Sequence, residues 1–154
     1  MPARRSAGLL VYRRRAGVLE IFLVHPGGPF WRNKDAGAWS IPKGEYDEVE
    51  APLAAAQREF LEETGMSVAP PFEPLEPVRQ AGGKIVTAWA VAGDFEATAI
   101  RSNTFTLEWP PKSGRFASFP EVDRAGWFTL DDARVKILAG QRPLLDELAR
   151  RVGL

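Results

Sequence analysis

Residues 44–66 read GEYDEVEAPLAAAQREFLEETGM, and this stretch decides the fold. Ala51 to Thr64 predicts a helix. Pro52 suits its first turn, and Gly65 suits the left-handed position just past its end. At ~100° per residue, Leu53, Ala56, Gln57, Phe60 and Thr64 fall on one stripe, which predicts the face turned to the core. Glu59, Glu62 and Glu63 fall in a second arc beside it. That arc is unfavourable by itself: Glu59 and Glu63 repel as an i,i+4 pair by roughly a few tenths of a kcal/mol. The helix dipole disfavours anions in the last turns by a further ~0.3–1 kcal/mol each. Arg58 precedes Glu62 by four residues, but one guanidinium cannot balance three carboxylates. A hard divalent cation, which takes oxygen ligands, would neutralise the cluster. The competing reading is a solvated acidic face.

The spacing within the stretch goes further. Five residues separate Gly44 from Glu50, and seven more precede Arg58-Glu59-Phe60-Leu61-Glu62-Glu63-Thr64-Gly65-Met66. This resembles the Nudix box, Gly-x5-Glu-x7-Arg-Glu-U-x-Glu-Glu-x-Gly-U with U a bulky apolar residue, and every defined position matches. At average residue usage such a match arises by chance about once in a million chains of this length. The resemblance implies an α+β Nudix fold, a mixed β-sheet sandwiched between helices, formed as one domain over residues 1–154. It implies that Glu59, Glu62 and Glu63 hold Mg²⁺ (Mn²⁺ as a substitute) with help from the Gly44 carbonyl. It also implies that Glu59 activates water, that Arg58 orients the glutamates, that Glu50 braces the loop before the helix, and that Gly65 ends it. The implied chemistry is hydrolysis of a phosphoanhydride by water, for which metal ions screen the phosphate oxygens and a carboxylate takes the proton. No histidine is required, and His25 is the only one in the chain. It reads as a loop histidine outside the chemistry.

The rest of the chain bounds the alternatives. A length of 154 residues with 45% hydrophobic content suits one domain with a sizeable core. Twenty basic and twenty acidic residues leave a formal net charge of zero, so no global field draws the chain to nucleic acid or an anionic membrane. The absence of cysteine excludes disulfides and thiolate chemistry. It fits a cytoplasmic protein, and it argues against a prenyl-diphosphate isomerase on the same fold. Met1-Pro2-Ala3-Arg4-Arg5-Ser6 lacks the apolar core of a secretory signal. The expected partner is a small nucleotide or polyphosphate; neither membrane nor nucleic acid is expected, and the protein should be a monomer or homodimer.

Outward from the helix, Gly8–Tyr12 and Leu19–Val24 predict a hairpin with Arg13, Arg14 and Arg15 in its turn. His25–Gly37 reads as a loop whose Phe30 and Trp31 cap the core or stack on a base. Lys84–Val91 and Thr104–Trp109 predict strands, Lys112–Pro120 a loop, and Pro143–Val152 an amphipathic helix with Leu144, Leu145 and Leu148 on one face. Thr129 suits a helix N-cap.

Pro42-Lys43-Gly44 resembles the entry to the box in hydrolases of dinucleoside polyphosphates or diphosphoinositol polyphosphates, and the Lys84 strand is similar to one in the dinucleoside polyphosphate hydrolases, which implies phosphate contacts for Lys43 and Lys84. Glu121, six residues before Trp127, resembles an additional metal ligand of that branch; Glu108 is its competitor. Glu45 stands where that branch usually has His, and Asp47 where Glu is common. Residues 94–119 look longer than the fold needs and suggest a lid, a substrate wall or a dimer contact. A nucleotide-sensing module on the same fold is the rival to a hydrolase, although sensors commonly carry an eroded box.

Overall fold

A computed structural model describes residues 4–154; the reading of Met1–Ala3 lies outside the described residues. Period-two burial builds the centre of the molecule. In β1 (Arg5–Arg15), Ala7, Leu9 and Val11 point to one face and Leu10 to the other. In β2 (Val18–Pro26), Phe22 and Val24 join the first group, and Leu19, Ile21 and Leu23 the second. The first face packs on α1 (Pro52–Thr64). The second packs on α2 (Leu130–Lys136) and α3 (Arg142–Arg151), where Leu144, Leu145 and Leu148 are buried together as the periodicity predicted. A mixed sheet between helices is therefore present, as the α+β expectation required.

Among the described residues the sheet has seven strands. One edge of β1 is parallel to β6 (Ile85–Ala92), from Arg5↔Ile85 to Tyr12↔Ala92. Beyond β6 lie the two-residue strands β4 (Glu73–Pro74) and β5 (Val78–Arg79). The other edge of β1 is shared. Tyr12–Arg15 pair with β2, while Ser6–Gly8 pair with β3 (Lys43–Glu45). β1 and β2 thus part company, and the segment before α1 fills the fork: Ser40 bridges Val24, and Gly44 pairs with Ala7. A Cβ on Gly8 would stand 2.5 Å from the Pro42 carbonyl, so glycine there permits the insertion. β9 (Val122–Thr129) closes the sheet against β2. A separate hairpin of β7 (Thr104–Glu108) and β8 (Phe116–Pro120) stands apart from it.

Four expectations are corrected. The hairpin turn is Ala16-Gly17 alone, both at positive φ (51° and 79°), the geometry of a two-residue loop. Arg13, Arg14 and Arg15 lie inside β1. Arg13 is half-buried because Glu20 and Asp94 each meet its guanidinium at 2.8 Å and Trp127 lies beneath it, 4.1 Å away. Residues 116–120 of the expected loop are strand, since they complete a ladder with β7. The buried face of α1 is turned toward the acidic arc: Ala55, Ala56, Glu59, Phe60 and Thr64 are buried, whereas Gln57 is exposed. The two alanines allow the helix to lie close on the sheet, and this draws Glu59 under it. His25 is not a loop residue either. It lies in β2, one residue before its end, fully buried between Asp123 (2.8 Å) and the Lys34 carbonyl (2.6 Å).

Phe22 joins helix to sheet, with ring centroids 6.2 Å from Phe60, 4.8 Å from Phe95 and 5.4 Å from Trp127. Replacing it with alanine should destabilise the fold by about 3–5 kcal/mol, read as a lower urea midpoint at unchanged slope.

Candidate active site

Local geometry fixes the glutamates before any ligand is considered. Arg58 donates through Nε and Nη2 to Glu50 at 2.7 and 2.9 Å, a bidentate pair. Its Nη1 donates to Glu59 Oε1 at 2.8 Å and to both oxygens of Glu62 at 3.2 and 3.3 Å. Glu50 thus braces the site through Arg58, and that ion pair holds the Glu50 carboxyl below its ordinary range. At the far end of α1, Gly65 adopts φ 74° and donates to the Leu61 carbonyl at 2.7 Å, which closes the helix as expected.

Glu59, Glu63 and Glu121 converge, each offering a carboxylate oxygen within 4.8 Å of the others. Burial pushes Glu63 up to about 8 against the pull of Lys43. Burial also raises Glu59, despite the hydrogen bond from Arg58. Glu121 is raised by burial first and then by the charge of Glu62. Three partly desolvated carboxyls with one guanidinium touching one of them form a donor set for a hard divalent cation. The cradle fits the same ion. A Cβ on Gly44 would stand 2.0 Å from Glu59 Cδ, so only glycine leaves the carboxylate beside the main chain there. Glu62 stands outside the trio, held by Arg58. Glu108 is elsewhere, accepting from the Lys112 N–H in the β7–β8 turn at 3.0 Å.

Glu121 reaches the helix through residues 101–103, part of the segment that looked too long. The N–H groups of Arg101 and Asn103 donate at 2.8 Å to the carbonyls of Thr64 and Glu62, satisfying the end of α1. The Glu121 N–H donates back to the Asn103 carbonyl at 2.8 Å, the Val122 N–H to Ser102 Oγ at 2.9 Å, and the Gly27 N–H to the Glu121 carbonyl at 2.9 Å. This strap sets the position of Glu121 and was not legible in the sequence.

A cavity of about 340 Å³ opens beside the carboxylates. Glu63, Glu121 and Lys43 line one part, and Trp31, Val24, Ile41 and Leu138 supply apolar wall, with Ser40 and Gln80 among the polar groups. Lys43 donates its N–H to Glu63 Oε1 at 3.3 Å, and burial, then the nearby charge of Lys84, lowers its ammonium from the ordinary value. Of the two aromatics left open between capping and stacking, Trp31 caps the core and also faces the cavity. Phe30 does not cap the core. It is 58% exposed and meets Trp109 of the β7–β8 hairpin at 5.3 Å.

A partly buried acidic trio thus gathers behind a glycine cradle, beside the helix that bears the full motif. The chain belongs to the Nudix family: the NUDIX domain model matches residues 2–148. It is similar to an RNA pyrophosphohydrolase of Bartonella henselae, 36% identical over 70 residues, a match that covers 43% of this chain and only 38% of that relative's length. Among solved structures it shares its fold with an Ap4A hydrolase of C. elegans in a binary complex (TM-score 0.67, 24% identity, 97% of this chain and 98% of that one). It shares it also with the NUDIX domain of Shewanella oneidensis NrtR complexed with ADP ribose (TM-score 0.66, 19% identity, 99% and 89%).

The raised carboxyls give the metal-free protein a pH dependence. Between the ordinary carboxyl value of 4.5 and about 8, the folded state keeps a proton on Glu63 that the unfolded chain has lost. Stability should therefore fall as pH rises through that window and level off above it. Denaturant titrations in chelator at pH 5, 6.5 and 8 should show the fall, and Glu63→Gln should flatten it. A stability that rises over the same window would contradict the assignment.

Proposed function

We propose that the protein is a metal-dependent pyrophosphohydrolase acting on a phosphoanhydride of a nucleotide; the convergence of Glu59, Glu63 and Glu121 supports this most directly. These three, with Glu62 and the Gly44 carbonyl, would hold Mg²⁺ (or Mn²⁺ in its place). When bound, the ion would neutralise phosphate oxygens and lower the pKa of a water. Arg58 occupies Glu59 Oε1, so Glu59 Oε2 is the free basic oxygen and takes the proton from the attacking water. Arg58, itself anchored by Glu50, keeps the glutamates from splaying under their mutual repulsion. Lys43 and Lys84 meet the polyphosphate as point charges.

The substrate proposed is a dinucleoside polyphosphate or nucleoside triphosphate. The two lysines and the full-length likeness to the C. elegans Ap4A hydrolase structure support it. The likeness to NrtR, whose NUDIX domain was solved with ADP ribose, favours a second reading, a nucleotide sensor with weak turnover. The intact set of glutamates argues for the hydrolase. No helix among the described residues is long and apolar enough to cross a membrane.

A panel of nucleoside triphosphates, diadenosine polyphosphates, ADP-ribose and 5′-triphosphorylated RNA, incubated with Mg²⁺ and separated by chromatography, decides between the readings. Diadenosine tetraphosphate should be cleaved fastest, and Glu63→Gln should reduce turnover by roughly two orders of magnitude or more with the fold intact. Binding without turnover of any compound, in Mg²⁺ or Mn²⁺, would favour the sensor. Full activity in Glu63→Gln would overturn the hydrolase mechanism.

A further inference from the structure

Gln141 carries no charge and lies at the end of a short 3-10 turn (Ala139–Gln141), yet it is fully buried. Its carboxamide orientation is fixed by chemistry. The Ile41 main-chain N–H can only donate, and it reaches Gln141 Oε1 at 3.1 Å. Gln141 Nε2 must then be the donor at the other end. It donates to Ser40 Oγ at 2.9 Å and to Gln80 at 2.7 Å. Ser40 suits that role because its own hydroxyl proton goes to the Ile41 carbonyl at 2.7 Å. The atom of Gln80 facing Gln141 must accept, so it is Oε1, and the Gln80 NH₂ group is left on the opposite side. That group has no protein acceptor among the described residues, and Gln80 lines the cavity that holds Glu63 and Glu121.

The backbone of Gln80 is equally constrained. Its N–H donates to the Lys84 carbonyl at 2.8 Å, and its carbonyl accepts from the Gly83 N–H at 3.0 Å. Gly140 packs against it so closely that a Cβ there would stand 2.9 Å from Gln80 Cα. An amide donor held by main chain, side chain and packing, on a residue that lines a partly apolar cavity, is preorganised for an acceptor on a ligand.

We propose that Gln80 is a base-recognition residue, its NH₂ donating to a carbonyl oxygen or ring nitrogen on the nucleobase, and that Gln141 is the positioning residue that sets its hydrogen-bonding sense. The proposal rests on the nucleotide reading of the cavity but not on turnover. The surroundings favour a base over a phosphate. Trp31, Ile41 and Leu138 offer planar and aliphatic wall, the amide is neutral, and Lys43 in the same cavity would serve the anionic part of a nucleotide. Because Gln80 Oε1 is engaged by Gln141, Gln80 reads as a donor only and not as the donor–acceptor pair a free glutamine offers.

The test is binding, measured by calorimetry on the intact protein with Mg²⁺. The probes are a nucleoside triphosphate analogue carrying a methylene at the bridging oxygens, and inorganic tripolyphosphate, which has no base. Gln80→Leu should weaken the nucleotide about tenfold or more and tripolyphosphate less than twofold. Gln80→Glu keeps an acceptor for Gln141 but presents an acceptor to the cavity, so it should weaken the nucleotide at least as much. Gln141→Leu should reproduce the nucleotide defect; a circular-dichroism melt accompanies it because the change leaves the Ile41 N–H unpaired. Unchanged nucleotide affinity in Gln80→Leu would overturn the proposal. Equal losses for both probes would also overturn it, since the acceptor would then be a phosphate. Binding that shows the Gln80 dependence in a protein without turnover would sink the hydrolase reading and leave this one standing.

Discussion

Mutual repulsion among Glu59, Glu63 and Glu121 is the constraint around which the molecule is organised. Their oxygens come within 4.8 Å of one another in surroundings that penalise charge. No fold reaches that state without opposing restraints, and two are visible. Arg58, held by both oxygens of Glu50, grips the helix side of the cluster. The strap at residues 101–103 and the Gly27 N–H grip Glu121 by its main chain, out of reach of its charge. The proton that burial keeps on Glu63 relieves part of the repulsion, and a divalent cation that displaces it is a fitting partner for the site.

The sheet supplies the geometry these restraints need. By opening the fork between β1 and β2, the fold lets the segment before α1 enter the sheet, and it brings Gly44 under Glu59. The same insertion carries Ser40 and Ile41 to the cavity wall, where Gln141 joins them to Gln80. The acidic end of the cavity and its apolar wall are thus set by one stretch of chain, so a displacement of residues 39–45 would disturb both together.

The helix and its clustered glutamates were legible because they are local. Period, end signals and the clustered glutamates all lie within residues 44–66, and the motif there is specific. Glu121 was reachable only through a resemblance, because its approach to α1 depends on a strap that no periodicity encodes. The arginines of β1 misled because charge is a usual mark of a turn. Here Arg13 sets its guanidinium over Trp127 and between Glu20 and Asp94, the last of them 81 residues away. Gln57 was misplaced on the core face because hydrophobic pattern alone sets the stripe, whereas two alanines rotated the true contact toward the acids. Gln80 and Gln141 gave no signal at all: each is an ordinary amide in sequence, and only their meeting with Ser40 and the Ile41 N–H gives them a direction.

The most direct test of the central claim is the proton count of Mg²⁺ binding, measured by titration calorimetry at pH 7 in two buffers of different ionisation enthalpy. With Glu63 pushed up to about 8, the metal-free site carries a proton at that pH. Binding should then release about one proton, and Glu63→Gln should abolish the release. Binding that releases no proton, or a release unchanged by Glu63→Gln, would contradict the account.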